Sequence, residues 1–157
     1  MAKLKNLIFY LRIKKLTISA VESVSGGYLS YLLTKTPGSS KVFKGGLIVY
    51  SPESKNKLLH IPLPLLNKTL GVSKSISILL AKRTKQFFKT DLAVSLVGFA
   101  SAPAQKGIKV GTIFMAVADR YGVASKKILL KGSRDYVRKQ ASRMAVDLLC
   151  RRLNSKH

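Results

Sequence analysis

A serine, a tyrosine and a lysine surround one short apolar segment and together suit a hydroxyl nucleophile activated by an amine. Ser40 precedes the segment Gly46–Tyr50, Tyr50 ends it, and Lys55 follows five residues later. A serine hydroxyl is a weak nucleophile until a neighbouring base takes its proton, and a lysine does so only if its pKa is lowered by burial or nearby positive charge. Three lysines close in sequence are expected to supply that charge: Lys41, Lys44 and Lys57. Spacing alone favours the alternative of an unremarkable loop serine, packed tyrosine and surface lysine, because these residue types are common.

A second candidate site is the run Glu22-Ser23-Val24-Ser25-Gly26-Gly27, which follows a predicted strand. Backbone N–H groups at a helix start form an anion site, and glycine lets a phosphate approach closely. Glu22 would face this site or cap the turn through hydrogen bonds. An ordinary helix cap explains a serine followed by two glycines equally well, so both interpretations stay open.

Apolar spacing and end signals predict alternating helices and strands. Helices are predicted at Lys3–Arg12, from a cap at Ser25 through Leu33, from a cap at Ser51 to about His60, from a cap at Ser73 through Phe87, and from Arg134 to about Leu153. Strands are predicted at Leu16–Val21, Gly46–Tyr50, Leu92–Val97, Val110–Ala118 and Val123–Leu130, with a hairpin joining the last two and a loop between His60 and Ser73. This order predicts one domain over residues 1–157, a three-layer α/β/α fold with a mixed, mostly parallel sheet.

The charge is strongly unbalanced, with 29 Lys and Arg against 6 Asp and Glu and a formal net charge of +23. Such a surface attracts nucleic acid or anionic surfaces non-specifically. A solvated basic surface is the favoured interpretation, because the charges are spread along the chain and no base-reading signature accompanies them. No apolar run reaches membrane-spanning length. The single Cys150 fits a cytoplasmic protein, and His60 and His157 are too few for a zinc site or a histidine triad.

From about Leu16 to Leu153, the order of motifs closely resembles the C-terminal domain of the CinA family, the nicotinamide-nucleotide amidohydrolases. The motifs that carry the resemblance are Glu-Ser-Val-Ser-Gly-Gly at 22–27, Gly-Gly-Leu-Ile-Val-Tyr-Ser-Pro-Glu-Ser-Lys at 45–55, Val-Gly-Phe-Ala at 97–100, Val-Gly-Thr at 110–112 and Gly-Ser-Arg at 132–134. The resemblance implies that Ser40, Tyr50 and Lys55 are the catalytic set of a nicotinamide mononucleotide deamidase.

The resemblance further implies conversion of nicotinamide mononucleotide to nicotinate mononucleotide and ammonia, without a metal or cofactor, by a homo-oligomer. Ser40 would attack the carboxamide, and Lys55, assisted by Tyr50, would take the serine proton. Backbone N–H groups near Ser40 or Gly46 would stabilise the oxyanion. The residues expected to bind the substrate are Glu22, Ser25, Gly26, Gly27, Gly46, Gly98, Ala100 and Arg134.

The chain departs from the family motifs around this set. Val24 stands in place of a cysteine, Val97 in place of a threonine, Ser101 in place of a glycine and Ser133 in place of an aspartate. The loop between the Val97–Pro103 motif and Val110 is poor in glycine. The alternative is therefore a catalytically degenerate relative that acts as a basic module binding nucleic acid or protein. Ammonia release from nicotinamide mononucleotide distinguishes the two hypotheses.

Overall fold

The structure is a computed structural model and describes residues 2–102 and 107–156. Its strands are β1 (Ile18–Glu22), β2 (Phe43–Ile48), β3 (Leu92–Gly98), β4 (Thr112–Asp119) and β5 (Gly122–Leu129). They form one sheet in the order β2-β1-β3-β4-β5. The central strand pairs β1/β2 and β1/β3 are parallel, whereas β3/β4 and β4/β5 are antiparallel. Four of the five strands therefore run in the same direction.

Helices cover both faces of the sheet. They are α1 (Ala2–Ile13), α2 (Tyr28–Thr34), α3 (Pro52–Leu59), α4 (Leu63–Thr69), α5 (Lys74–Phe88) and α6 (Arg134–Lys156), with a short 3₁₀ turn at Ser39–Lys41. One core joins α1, α2 and α6 to one face of the sheet, and a second core joins α3, α4 and α5 to the other. The three-layer α/β/α fold with a mixed sheet is therefore confirmed.

Burial along the strands follows their position in the sheet. Every residue of β1 and β4 is buried, because each of these strands has a neighbour on both sides and helices on both faces. β2 lies at the edge and alternates between half-buried and exposed residues. Of the described helices, none is long and apolar enough to span a bilayer.

Two helix starts follow the predicted caps at Ser51 and Ser73. Ser51 accepts a hydrogen bond from the Ser54 N–H at 3.2 Å, and Ser73 accepts one from the Ile76 N–H at 3.1 Å. Pro52 then opens α3, where its missing N–H costs no hydrogen bond. The predicted cap at Ser25 is wrong, because α2 begins at Tyr28 after Gly27, which provides no side-chain cap. The Ser25 hydroxyl donates to Glu22 instead.

Three predicted elements differ from the structure. The prediction of a loop between His60 and Ser73 is wrong, since the segment contains α4, whose start at Pro62 carries no side-chain cap that would reveal it. β2 runs from Phe43 to Ile48 instead of Gly46–Tyr50, because Ile18 and Glu22 of β1 fix its register. Val110 and Gly111 form a turn before β4, closed by a hydrogen bond from the Thr112 N–H to the Lys109 carbonyl.

One buried ion pair ties the β4–β5 hairpin to α6. The Arg152 guanidinium donates to both carboxylate oxygens of Asp119, at 2.8 and 2.9 Å, and this bond raises the pKa of Arg152. We expect Asp119→Asn to lower the free energy of unfolding by about 3 kcal/mol, because it leaves the arginine charge uncompensated. Urea unfolding measures this. Asp147→Asn is the control: it removes an exposed bridge to Lys3 and should cost much less, and an equal loss in both variants would contradict the expectation.

Candidate active site

A cavity of about 260 Å³ lies at the carboxyl edge of β1 and β3. Its walls come from the residues that follow these two strands, from the start of α3, from the loop between α4 and α5, and from the first residue of α6. Carboxyl ends of parallel strands gather at one edge of an α/β sheet, which is where such folds place their ligands.

Lys55 forms one wall of this cavity and is almost fully buried, with 1% of its surface exposed. Its Nζ donates to the Ser23 hydroxyl at 3.2 Å and to the Tyr50 backbone carbonyl at 3.4 Å. Among the described residues, no carboxylate forms an ion pair with Lys55. Burial therefore lowers the pKa of Lys55 to about 8, and the nearby charge of Glu53 opposes this shift. The expectation that positive charge from Lys41, Lys44 and Lys57 lowers the pKa of Lys55 is wrong, because the pKa is lowered by desolvation of the buried amine.

The hydroxyl that contacts the Lys55 amine is that of Ser23. It follows β1 directly, and its own N–H extends the sheet by donating to the Leu96 carbonyl at 3.0 Å. Two other N–H groups at the cavity wall, those of Val24 and Ala100, donate to no acceptor among residues 2–102 and 107–156. A buried serine, a lysine of lowered pKa and two available N–H donors thus share one cavity.

Gly71 sets the position of the Lys55 side chain from behind. It has a left-handed backbone, with φ of 69°, and a Cβ at this position would lie 3.2 Å from Lys55 Nζ and 3.3 Å from its last two methylenes. A larger residue would therefore push the amine away from Ser23. Gly71 could not be predicted as a site residue, because its contact with Lys55 depends on how the loop after α4 folds back.

Arg134 closes the mouth of the cavity. It donates to the Tyr50 phenol oxygen and to the Ser101 hydroxyl, each at 2.7 Å. Neither partner is a carboxylate, and the guanidinium charge has no carboxylate to balance it within the described residues. Tyr50 thus touches Lys55 through its carbonyl and Arg134 through its phenol.

The structure does not bring Ser40 to the cavity, so its expected grouping with Tyr50 and Lys55 is wrong within this chain. Ser40 is exposed on the 3₁₀ turn before β2, whereas Lys55 follows β2. The two lie at opposite ends of a six-residue strand, which rises roughly 20 Å. Gly46 is also absent from the cavity wall, because it pairs with Ala20 in the middle of β2 and faces Ser30 of α2.

The start of α2 is an internally capped turn, in which the Gly27 N–H is already bonded to the Glu22 carboxylate. The buried Glu22 carboxylate accepts from the N–H groups of Gly27, Leu29 and Ser30, at 3.0, 3.0 and 2.7 Å. It also accepts from the hydroxyls of Ser25 and Ser30. Both Glu22 carboxylate oxygens are used in this cap, so the alternative that Glu22 caps the turn is confirmed. Contact of Ser25, Gly26 and Gly27 with substrate stays a prediction.

Arg138 holds the same turn from the other side. Its Nε and Nη2 donate to the Ser25 carbonyl at 3.3 and 3.0 Å. The sequence motifs predict no role for Arg138. Gly98 and Ala100 do line the cavity, and their contact with substrate stays a prediction. Pro103 and His157 lie outside the described residues.

Comparisons with known proteins agree with this fold. A CinA-like protein of Geobacter sulfurreducens is 36% identical over 143 residues, which cover 90% of this chain and 35% of that protein. The chain spans about a third of the length of the curated relatives it matches.

Two crystal structures have closely similar folds. The competence damage-inducible protein A (ComA) from Klebsiella pneumoniae has a TM-score of 0.95 at 20% identity, over 99% of this chain and 98% of that chain. The competence/damage inducible protein CihA from Agrobacterium tumefaciens has a TM-score of 0.91 at 24% identity, over 96% of this chain and 93% of that chain. The family model described as the CinA C-terminal domain matches residues 2–153, and the chain therefore belongs to the CinA C-terminal domain family.

Proposed function

We propose that this domain is an amidohydrolase that deamidates nicotinamide mononucleotide through Ser23 as nucleophile and Lys55 as general base. The observation that carries the proposal is the 3.2 Å contact between Lys55 Nζ and Ser23 Oγ inside the cavity. A nucleophile and base within hydrogen-bond reach, with the base held in place by other groups, is the arrangement that covalent acyl transfer requires. Ser23 replaces Ser40 in this role.

The reaction proceeds in two steps. Ser23 Oγ attacks the carboxamide carbon while Lys55 takes the hydroxyl proton, and the carbonyl oxygen becomes an oxyanion. The N–H groups of Val24 and Ala100 belong to residues that line the cavity and have no acceptor among the described residues, and they would stabilise that charge. The protonated Lys55 then gives its proton to the departing amine, and ammonia leaves. Water hydrolyses the acyl-enzyme with Lys55 again as base.

The lowered pKa of Lys55 makes it competent for both halves of this cycle. With a pKa of about 8, about a tenth of the amines are neutral near pH 7 and can accept a proton. Its conjugate acid remains strong enough to protonate a leaving amine. A solvated lysine at its ordinary pKa would be almost entirely protonated at that pH.

The cavity also suits an aromatic ring that carries an anionic group at some distance. Phe99, Leu70 and Val72 give it apolar walls, and Arg134 supplies an uncompensated positive charge at its mouth. Arg134 is the first residue of α6, where the helix dipole adds to the attraction for an anion. The proposed subsite for the 5′-phosphate is therefore this mouth, in place of the turn at Ser25–Gly27.

The direct test is to incubate the purified chain with nicotinamide mononucleotide and to measure ammonia and nicotinate mononucleotide. We expect both products in equal amounts, and the Ser23→Ala variant serves as the control for contaminating amidase. If no ammonia forms with folded protein, the degenerate binding module is the better hypothesis.

We expect Arg134→Gln to raise KM for nicotinamide mononucleotide about tenfold or more with kcat little changed, because it removes a charge that binds phosphate in the ground state and the transition state alike. Nicotinamide riboside, which lacks the phosphate, is the matched substrate. Its kcat/KM should hardly change in the variant. A similar loss for both substrates would mean that Arg134 shapes the cavity and does not bind phosphate.

We expect Arg138→Gln to lower kcat about tenfold with little effect on KM, because the Ser25 carbonyl loses both donors and the turn that follows Ser23 loosens. Arg138 is thus a positioning residue. Steady-state kinetics test this, with Arg143→Gln on the same helix as control, since the side-chain hydrogen bond of Arg143 is to Gln140 and not to the turn after Ser23. A rise in KM at unchanged kcat would instead place Arg138 in substrate binding.

A further inference from the structure

A second groove lies at the opposite, amino edge of the sheet, away from the proposed active site. Its volume is about 400 Å³, and it runs between the end of α1 and the 3₁₀ turn that leads into β2. Leu16 and Val42 form its apolar floor, and Phe9 and Ile13 stand at its side with 63% and 65% of their surfaces exposed. Exposed apolar side chains of this size beside a groove indicate a binding surface.

Three cations line this groove, and none of them is in an ion pair among the described residues: Arg12, Lys15 and Lys41. The Arg12 guanidinium lies against Gly38 and so bridges α1 and the loop before the 3₁₀ turn. Lys44 extends the positive charge, because its Nζ donates to the Lys41 carbonyl at 3.3 Å. The basic surface therefore continues beyond the groove along the same edge.

The acidic residues of the chain do not neutralise this surface. Asp91 is the acid beside the groove, and its carboxylate accepts two hydrogen bonds from Thr17, both at 2.7 Å. It offsets only one of the three positive charges. Asp119 is bonded to Arg152, and Asp147 to Lys3. The remaining three acids belong to the carboxyl edge of the sheet or to helix starts there: Glu22, Glu53 and Asp135. The groove thus keeps a net positive charge.

We propose that this groove binds single-stranded nucleic acid without reading its sequence. Phosphates would contact Arg12, Lys15 and Lys41, and an unpaired base would stack on Phe9. Cations along a groove with an exposed aromatic ring are the combination by which proteins hold single strands. A strand fits better than a free nucleotide because the positive charge extends past the groove to Lys44. A bilayer fits less well, because the cations line a concave surface with Phe9 at its side.

The test measures fluorescence anisotropy of a labelled oligothymidylate at low salt. The groove variant combines Arg12→Gln, Lys15→Gln and Lys41→Gln. The control variant combines Lys126→Gln, Lys127→Gln and Lys131→Gln, which remove the same charge from the far edge strand and its end. We expect the groove variant to bind about tenfold more weakly or worse and to reduce the salt slope by about two, whereas the control variant changes affinity less than about threefold. The two single variants Arg12→Gln and Lys41→Gln replace the triple one if it unfolds.

Phe9→Ala tests the stacking contact, with Phe87→Ala as control because Phe87 is similarly exposed on α5. The first should weaken binding about fivefold or more without changing the salt slope, and the second should have no effect. Equal losses in both triple variants would mean that only net charge matters and would overturn the proposal. Unchanged oligonucleotide affinity in the groove variant would also overturn the proposal. The same holds if the groove variant loses binding to phosphatidylserine vesicles but keeps its affinity for the oligonucleotide. Ammonia release should be unaffected by all of these variants, so this result is separate from the proposed enzyme activity.

Discussion

Ser23→Ala is expected to abolish ammonia release from nicotinamide mononucleotide, with a loss in kcat of about 10³-fold or more. The alanine variant keeps the cavity and Arg134, so the affinity for the product nucleotide should stay close to that of the unchanged chain. Ser23 makes its only side-chain hydrogen bond in the described structure to Lys55, so its loss should leave the fold intact. Rate and binding are measured separately, by ammonia release and by calorimetric titration.

Ser40→Ala is the matched control for Ser23→Ala. Both substitutions remove one hydroxyl, but Ser40 is exposed at the other end of β2. We expect this variant to keep near-native turnover. Loss of activity in Ser40→Ala with full activity in Ser23→Ala would return the nucleophile to the residue that the family resemblance implies, and would require that another copy of the chain bring Ser40 to the cavity.

Lys55→Arg is expected to lower kcat/KM by about 100-fold or more, because a guanidinium stays protonated and cannot act as a base. For the unchanged chain, log kcat/KM should rise with pH at unit slope and level off near pH 8, where the buried amine becomes neutral. Lys55→Met controls for folding, since it removes a buried charge that has no ion-pair partner. Normal turnover by either variant would mean that Lys55 is not the base.

The dependence of log kcat/KM on pH can also be used to test why the pKa of Lys55 is low. Burial lowers the pKa and the Glu53 carboxylate raises it. Added salt should therefore move the transition very little, since no lysine neighbour has to be screened. Glu53→Gln should move it to lower pH, because the opposing negative charge is gone. A transition that shifts strongly to higher pH with salt would instead point to repulsion between positive charges.

Much of the fold could be predicted because its signals are local. Ser51 followed by Pro52 marks the start of α3 through hydrogen bonds that the chain makes within four residues. The signals for the long apolar face of α6 and for the hairpin at Asp119 likewise lie within the segments that form them. α4 could not be predicted in the same way, because it is seven residues long and begins without a side-chain cap. The ends of β2 depend on its pairing with β1. No local sequence signal within β2 marks where that pairing starts and stops.

The candidate site was predictable only where its parts come from one stretch of chain. Tyr50 and Lys55 are five residues apart and meet because a helix starts between them. Ser40 is also near in sequence, but the strand between them carries it to the opposite edge of the sheet. Ser23 meets Lys55 only because β1 and β2 are parallel neighbours. One signal was available for Ser23: it directly follows a buried strand, at the edge where ligands bind in such folds.

The most direct measurement of the central claim is to find which serine a fluorophosphonate labels. An activated serine oxygen forms a bond to phosphorus and expels fluoride, while its base takes the proton. We predict complete inactivation above pH 8, protection by nicotinamide mononucleotide, and peptide mapping that places a single label on Ser23; Lys55→Met should remain unlabelled. A label on Ser25, Ser39 or Ser40, or full activity at complete labelling of Ser23, would contradict the assignment of Ser23 as the nucleophile.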